Sequence, residues 1–172
     1  MNLPNKLTLL RVILVPVFVV MYIKQMFIPA FIVFIVASFT DMLDGKIARK
    51  YNLITNFGKI MDPLADKILV YSAFCLFIED GTMPAWILIV ILLREFTVAG
   101  MRTVAASEGI VIAAGITGKI KTVLQMIAVP LLIISSMHNV LYILSQVFLW
   151  ASLVMTIVSG VEYVVKNKSV FA

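Results

Sequence analysis

The sequence predicts an all-α polytopic membrane protein with six transmembrane helices and both termini in the cytoplasm. Three observations predict this fold class. Of the 172 residues, 62% are hydrophobic and only 13% are charged, whereas a soluble domain is nearer half apolar and about a quarter charged. A span needs about 20 apolar residues, so this length holds six spans joined by short loops. We therefore expect one membrane domain over residues 1–172.

The apolar runs define the helices in order. The first follows Lys6 with no small-residue cleavage site, so it is expected to be a retained span and not a removed signal peptide. Pro29 and Pro84 stand where a first helical turn tolerates proline. Glycines mark the breaks between runs, namely Gly81, Gly109, Gly115 and Gly118. The predicted helices are Leu7–Ile23, Ile28–Ala48, Ile60–Ile78, Pro84–Ala105, Ile120–Met137 and Val140–Val165.

The distribution of basic residues predicts the orientation. With the N-terminus in the cytoplasm, thirteen of the fourteen Lys and Arg residues fall toward the cytoplasmic side, and only Lys24 lies outside. This asymmetry follows the positive-inside rule, which also accounts for the net charge of +5. The sequence therefore predicts a multi-pass protein of the cell membrane, in contact with membrane lipids and without a nucleic-acid partner. The single cysteine, Cys75, excludes a disulfide framework.

Four of the nine acidic residues lie within one segment, residues 41–66. Asp41 and Asp44 are three residues apart near the end of the second predicted helix, so they share a helix face. Asp62 and Asp66, on the third helix, are four apart and also share a face. Small residues accompany the acids, with an arginine at the edge: Gly45, Ala48, Gly58 and Arg49.

This arrangement of carboxylates predicts a metal site. Four carboxylates facing one another repel and raise one another's pKa, and desolvation at a membrane boundary adds to that cost. Mg²⁺ and Mn²⁺ take carboxylate oxygens together with substrate phosphates, and two such ions can clamp the oxygens of a phosphoryl displacement. The small residues would leave room for a nucleotide, and Arg49 would bind phosphate. A carboxylate-based transporter is the alternative from another class.

The segment DMLDGKIARKYNLITNFGKIMDPLAD, residues 41–66, resembles the complete signature of the CDP-alcohol phosphotransferase family. The resemblance implies a six-helix membrane fold, commonly dimeric, with a cytoplasm-facing site for two divalent ions. It implies that Asp41, Asp44 and Asp62 bind metal, and that Asp66 binds metal and acts as general base toward the acceptor hydroxyl. Residues implied to bind the CDP-activated lipid are Asn5, Thr8, Gly45, Ala48, Arg49, Thr55 and Gly58, with Arg11 completing the N-terminal pattern.

Two further segments, residues 92–109 and 113–122, resemble one branch of that family. The resemblance implies CDP-diacylglycerol as donor, sn-glycerol 3-phosphate as acceptor and CMP as leaving group. A phosphorylated acceptor needs a basic site, which we assign to Arg102, Lys119 and Lys121. Arg94 lies far into a span and needs a partner. Glu95 is expected to point elsewhere on the helix, so another acid is expected to pair with Arg94. Inositol phosphate, serine and phosphatidylglycerol stay open as acceptors.

Overall fold

A computed structural model describes residues 3–50, 55–110, 112–113 and 115–168. For some residues within the helices only the backbone is described, and their side chains lie outside the described part: residues 3–4, 41–50, 56–57, 59–60, 62–63 and 66. The described chain is helical and divides into two compact units, Met1–Thr82 and Met83–Ala172. Each unit contributes three of the six α-helices of the described part.

The first unit contains three long helices that contact one another. They are α1 (Leu3–Ile23), α2 (Phe27–Lys50) and α3 (Asn56–Glu79). Each matches a predicted helix, but α1 begins four residues earlier than Leu7, and α3 begins four residues earlier than Ile60. At α3 the cause is a helix cap, because the Thr55 hydroxyl accepts a hydrogen bond from the Gly58 amide at 3.0 Å. Such a cap satisfies one of the amides left unbonded at a helix start.

Aromatic side chains form the core of the first unit at the end away from the aspartates. Phe18 and Phe34 are fully buried with ring centroids 5.8 Å apart, and Tyr22 packs edge-on against Phe77 at 5.7 Å. The Tyr22 hydroxyl donates to Asp80 Oδ2 at 2.7 Å. This contact joins the end of α1 to the turn after α3, so the rings fix how these two helices pack.

The second unit is built on a hairpin of two helices, with a third packed against its second arm. It comprises α4 (Ala85–Ser107), α5 (Ile116–Ile133), a short 3₁₀ turn (Ser135–Met137) and α6 (Asn139–Lys166). Gly81 and Gly109 have positive φ angles of 73° and 76°, as expected at breaks. The expectation that Gly118 also marks a break is wrong, because it lies inside the first turn of α5.

The described part contains three helices that are long and apolar enough to cross a membrane by length and composition. They are Asn5–Ile23, Ile116–Ile133 and Asn139–Lys166. In α2 the described apolar stretch is the shorter Phe27–Thr40, and α4 carries Arg94, Glu95 and Arg102. The chain is thus a helical membrane protein with several apolar spans, and the topology of six spans remains a prediction.

Candidate active site

The four aspartates lie on two uninterrupted helices of the first unit. Asp41 and Asp44 are in the last turns of α2, and Asp62 and Asp66 are in α3. Their spacings of three and four therefore place each pair on one helix face. A donor set made of carboxylates fits Mg²⁺ or Mn²⁺. The side chains of all four, and those of Gly45, Ala48 and Arg49, lie outside the described residues, so their coordination remains a prediction.

Three of the predicted nucleotide-binding residues meet in one chain of hydrogen bonds. The Thr55 hydroxyl donates to Asn5 Oδ1 at 2.9 Å and accepts from the Gly58 amide at 3.0 Å. Asn5 is in the first turn of α1, whereas Thr55 and Gly58 are at the start of α3. Residues separated by fifty positions are thus held together at the helix starts. Asn5 and Gly58 are buried and Thr55 is half-buried.

The N-terminal pattern consists of Asn5, Thr8 and Arg11, and its other two residues are also buried. Thr8 and Arg11 are fully inaccessible to solvent. Arg11 Nε donates to the carbonyl oxygen of Ala37 at 3.3 Å, one turn before Asp41 on α2. The N-terminal pattern therefore packs against α2 and α3, the two helices that carry the aspartates.

In the second unit, Arg94 is fixed by all three helices. Its Nε donates to Ser159 Oγ on α6 at 3.1 Å, and its Nη1 lies 2.8 Å from Glu95 Oε1. Its side chain passes two glycines, Gly118 on α5 and Gly160 on α6. A Cβ atom added at either glycine would lie 3.0 Å from the arginine side chain. The cost of an arginine inside an apolar helix is thus offset by a carboxylate and a hydroxyl.

The pairing of Arg94 with Glu95 corrects the sequence-based expectation that another acid would serve as its partner. Neighbouring positions on a helix point about 100° apart, but both side chains are long. Glu95 turns toward α5, where its Oε1 also accepts from Lys121 Nζ at 2.7 Å. The arginine turns in the same direction to reach Gly118. Both side chains extend toward α5, so they meet although their Cα–Cβ bonds point in different directions.

The three residues assigned to the acceptor phosphate differ in their surroundings. Lys121 is buried against Glu95, whereas Lys119 is exposed near the start of α5. Arg102 is exposed on α4, and its Nε donates to the Tyr163 hydroxyl at 3.2 Å. Its guanidinium carbon lies 5.5 Å from the centre of that ring, within the range of a cation–π contact. The structure thus anchors Lys121 and Arg102 on partners from neighbouring helices.

A cleft of about 350 Å³ opens beside Arg94. The start of α5 lines one wall with Gly115, Thr117 and Gly118, and the end of α6 lines another. On that wall Glu162 accepts hydrogen bonds from the Thr117 hydroxyl at 2.6 Å and from Lys166 at 2.5 Å. The charged side chains that line the cleft are Arg94, Lys166 and Glu162, and its α5 wall is the start of a helix, where the helix dipole favours an anionic ligand.

Sequence reasoning missed the residues of α6 that contact Arg94 and Arg102. Ser159, Gly160 and Tyr163 belong to the segment SGVEY, residues 159–163, and none of them was predicted to be a site residue. Their spacing offered a signal, because Ser159 and Tyr163 are four apart and share one face of α6. The pairing of Glu95 with Arg94 had no such signal, since adjacency on a helix argues against contact.

The chain matches known proteins over nearly its whole length. The sequence profile described as CDP-alcohol phosphatidyltransferase matches residues 1–158. A Bacillus subtilis protein named CDP-diacylglycerol–glycerol-3-phosphate 3-phosphatidyltransferase is 43% identical, covering 96% of this chain and 95% of the relative. Proteins of the same name from Rickettsia typhi and Haemophilus influenzae are 37% and 36% identical. They cover 99% and 94% of this chain, and 99% and 91% of their own lengths.

Proposed function

The chain belongs to the CDP-alcohol phosphatidyltransferase family, and on that premise we propose that it is a phosphatidylglycerophosphate synthase. It transfers the phosphatidyl group of CDP-diacylglycerol to sn-glycerol 3-phosphate and releases CMP. The observation that carries this proposal is the full-length similarity to relatives named for that reaction, at 36–43% identity. The complete aspartate signature supports the same chemistry.

In the proposed reaction, Asp66 acts as general base. It takes the proton from the free hydroxyl of the acceptor, and the hydroxyl oxygen attacks the lipid-linked phosphorus. A new P–O bond forms, the bond to the CMP phosphate oxygen breaks, and CMP leaves. Asp41, Asp44, Asp62 and Asp66 would hold two Mg²⁺ or Mn²⁺ ions. Such ions, when bound, neutralise charge on the phosphate oxygens.

The remaining site residues are proposed to bind the two substrates. Asn5, Thr8 and Thr55, with the small residues of the signature and Arg49, bind the CDP part of the lipid. The hydrogen bonds that join Asn5, Thr55 and Gly58 support a common role for these three. Arg102, Lys119 and Lys121 hold the acceptor's phosphate, as suits a dianionic ligand. All three residues lie in the second unit, and contacts with Tyr163 and Glu95 hold Arg102 and Lys121 in place, which supports this assignment.

We further propose that residues 1–172 form one domain of the cell membrane with six spans, cytoplasmic termini and a cytoplasm-facing site. The family match supports a single domain, since it runs through both compact units. The lysines at the start of α5 and the end of α6 support the orientation, because cytoplasmic ends collect basic residues. Membrane lipids surround the helices, and the functional form is a homodimer.

The proposal is tested by measuring CMP release from CDP-diacylglycerol in mixed micelles, with purified protein and each acceptor offered in turn. Release with sn-glycerol 3-phosphate, and little with inositol phosphate, serine or phosphatidylglycerol, is expected. Release with one of the other acceptors instead would keep the chemistry and change the acceptor. No CMP release with any of them would contradict the enzymatic proposal and favour a carboxylate-based transporter.

A further inference from the structure

The Thr55 hydroxyl makes hydrogen bonds to two groups of the protein. Thr55 is the N-cap of α3, and its Oγ1 accepts from the backbone amide of Gly58 at 3.0 Å. The same hydroxyl donates to Asn5 Oδ1 at 2.9 Å. A hydroxyl carries one proton, and here that proton goes to Asn5. Thr55 therefore has no second proton to donate to a phosphate or to the carbonyl oxygen of a base.

The hydrogen bond from Thr55 sets the direction of the Asn5 side-chain amide. Because Oδ1 accepts from Thr55, it faces the start of α3, and Nδ2 lies on the other side of Cγ. Nδ2 carries two N–H groups, so it can donate to a neighbour in the protein and to a ligand at once. Asn5 is only 8% exposed, and a buried polar atom without a suitable partner is costly. The Thr55 proton thus selects which end of the amide a ligand meets.

The direction of this amide matters for a nucleoside diphosphate. Phosphate oxygens and the carbonyl oxygen of cytosine accept hydrogen bonds, so they need a donor. An amide turned to present Oδ1 would place one acceptor against another, whereas an amide that presents Nδ2 supplies the proton. Asn5 lies in the first turn of α1, where a helix start favours negative groups. The orientation that Thr55 selects therefore suits the CDP part of the lipid.

We propose that Thr55 is a positioning residue that acts on the nucleotide through Asn5. Its hydroxyl turns the Asn5 amide so that Nδ2 donates to the CDP part of CDP-diacylglycerol. This inference rests on the proposed function and divides the proposed nucleotide-binding set, since Asn5 contacts the nucleotide and Thr55 contacts Asn5. The two residues belong to the starts of different helices, α1 and α3, so the hydrogen bond also aligns those two helix starts.

The first test compares Thr55→Val and Thr55→Ser with the unaltered protein. The KM for CDP-diacylglycerol is measured at saturating sn-glycerol 3-phosphate, together with the melting temperature. Thr55→Val keeps the shape but removes the hydroxyl, so it should raise this KM roughly 3- to 10-fold, the size of one neutral hydrogen bond. Thr55→Ser keeps the hydroxyl and should match the unaltered protein. The KM for sn-glycerol 3-phosphate should change little in either variant.

A double-mutant cycle with Asn5→Ala separates an indirect role of Thr55 from a direct one. If Thr55 acts only through Asn5, then adding Thr55→Val to Asn5→Ala should change the KM for CDP-diacylglycerol by less than about 2-fold, as for residues that act together. The same loss in both backgrounds would show that Thr55 contacts the nucleotide itself, and the inference fails. A lower melting temperature with an unaltered KM would show that Thr55 is only a helix cap, which also overturns it.

Two more variants keep the test decisive if Thr55→Val folds poorly. Thr55→Gly removes the hydroxyl, but glycine is nearly as good an N-cap as threonine. Its KM for CDP-diacylglycerol should rise as in Thr55→Val, and a normal KM would contradict the inference. Thr82→Val is the matched control, because it removes a half-buried threonine hydroxyl in the turn after α3, which donates to the Phe77 carbonyl oxygen at 3.0 Å. It should leave this KM unchanged.

Binding of CDP-diacylglycerol, measured without acceptor, repeats the cycle without turnover. The dissociation constants should show the same pattern as the KM values, with a loss in Thr55→Val that disappears in the Asn5→Ala background. A loss that persists in that background would contradict the inference even if turnover were normal. Absence of CMP release by the unaltered protein, with CDP-diacylglycerol still bound, would instead reject the proposed reaction.

Discussion

The two compact units balance their polar groups in different ways. In the first unit, the described contacts among the predicted nucleotide-binding residues are between neutral groups, as in the hydrogen bond from Thr55 to Asn5. The second unit also contains contacts between full charges, as in the pairing of Glu95 with Arg94 and Lys121. The second unit thus supplies its own counter-charges, whereas the aspartates of the first unit are expected to take theirs from metal ions.

This difference has a physical consequence. Four clustered carboxylates without cations raise one another's pKa and lose charge, so a site of this kind depends on ions from solution. A cluster of two cations and one carboxylate holds together without added ions. We therefore expect the first unit to respond to metal and the second to respond to the acceptor, and each prediction below probes one side of that contrast.

The largest effect is expected from metal removal. Activity should disappear in excess chelator and return with Mg²⁺ or Mn²⁺, because the four aspartates cannot hold the substrate diphosphate while their charges are uncompensated. The measurement is CMP release before chelation, after chelation and after metal return. Full activity in excess chelator, with no tightly bound metal detected by elemental analysis, would contradict the expected dependence of the first unit on metal ions.

The second-largest effect is expected at two aspartates of the same cluster, whose substitution should impair different steps. Asp66→Asn should lower turnover by about 10²–10⁴-fold, the usual loss for a general base, while CDP-diacylglycerol binding is better preserved. Asp41→Asn should weaken both metal binding and CDP-diacylglycerol binding. Affinity and turnover measured for both variants decide between these patterns. Near-normal turnover of Asp66→Asn would show that the base lies elsewhere.

The sequence alone could predict the helices and the helix faces of the aspartates, but not the charged contacts of the second unit. Apolar runs located all six helices of the described part, and helix periodicity gave the faces of the aspartates. Helix starts were harder, because α3 begins in the polar stretch after Thr55 and α5 begins before Gly118. A glycine inside a helix costs up to about 1 kcal/mol relative to alanine. At Gly118, the close approach of the Arg94 side chain explains why a glycine is found inside the helix.

The charged cluster of the second unit could not be predicted in the same way. Its contacts depend on how far long side chains reach between helices, and a pattern of periodicity carries no information about that reach. The sequence indicated that Arg94 needs a partner but excluded Glu95 because of its adjacent position. The structure places both on the side of α4 that Lys121 approaches.

A smaller effect is expected at Lys121. Lys121→Ala should raise the KM for sn-glycerol 3-phosphate by roughly 10- to 150-fold, the loss of one charge-assisted contact of about 1.5–3 kcal/mol. The KM for CDP-diacylglycerol should stay nearly unchanged. Lys24→Ala, which removes an exposed lysine of the first unit, serves as the control. A change confined to CDP-diacylglycerol would assign Lys121 to the nucleotide, and a change only in membrane insertion would assign it to topology.

The smallest effect is expected at a glycine that touches no charge directly. In Gly160→Ala the new methyl group would lie 3.0 Å from Arg94 Cγ and 3.7 Å from its Cβ. Both atoms are close to the backbone of α4, and Ser159 and Glu95 hold the far end of the side chain. The arginine therefore has little freedom to move away. Overpacking of this kind costs about 1–3 kcal/mol, and the gain in helix propensity of up to about 1 kcal/mol offsets part of it.

Gly100→Ala provides the matched comparison for that substitution. Gly100 is also helical, but a Cβ atom added there meets nothing within 4 Å, so only the propensity gain remains. Gly160→Ala should therefore lower the melting temperature of the detergent-solubilised protein and raise the acceptor KM a few-fold, as Arg94 shifts. Gly100→Ala should leave the acceptor KM unaltered and the melting temperature equal or higher. If the two variants behave alike, the confinement of Arg94 by α6 contributes nothing to the site, and the charge pairing with Glu95 alone positions it.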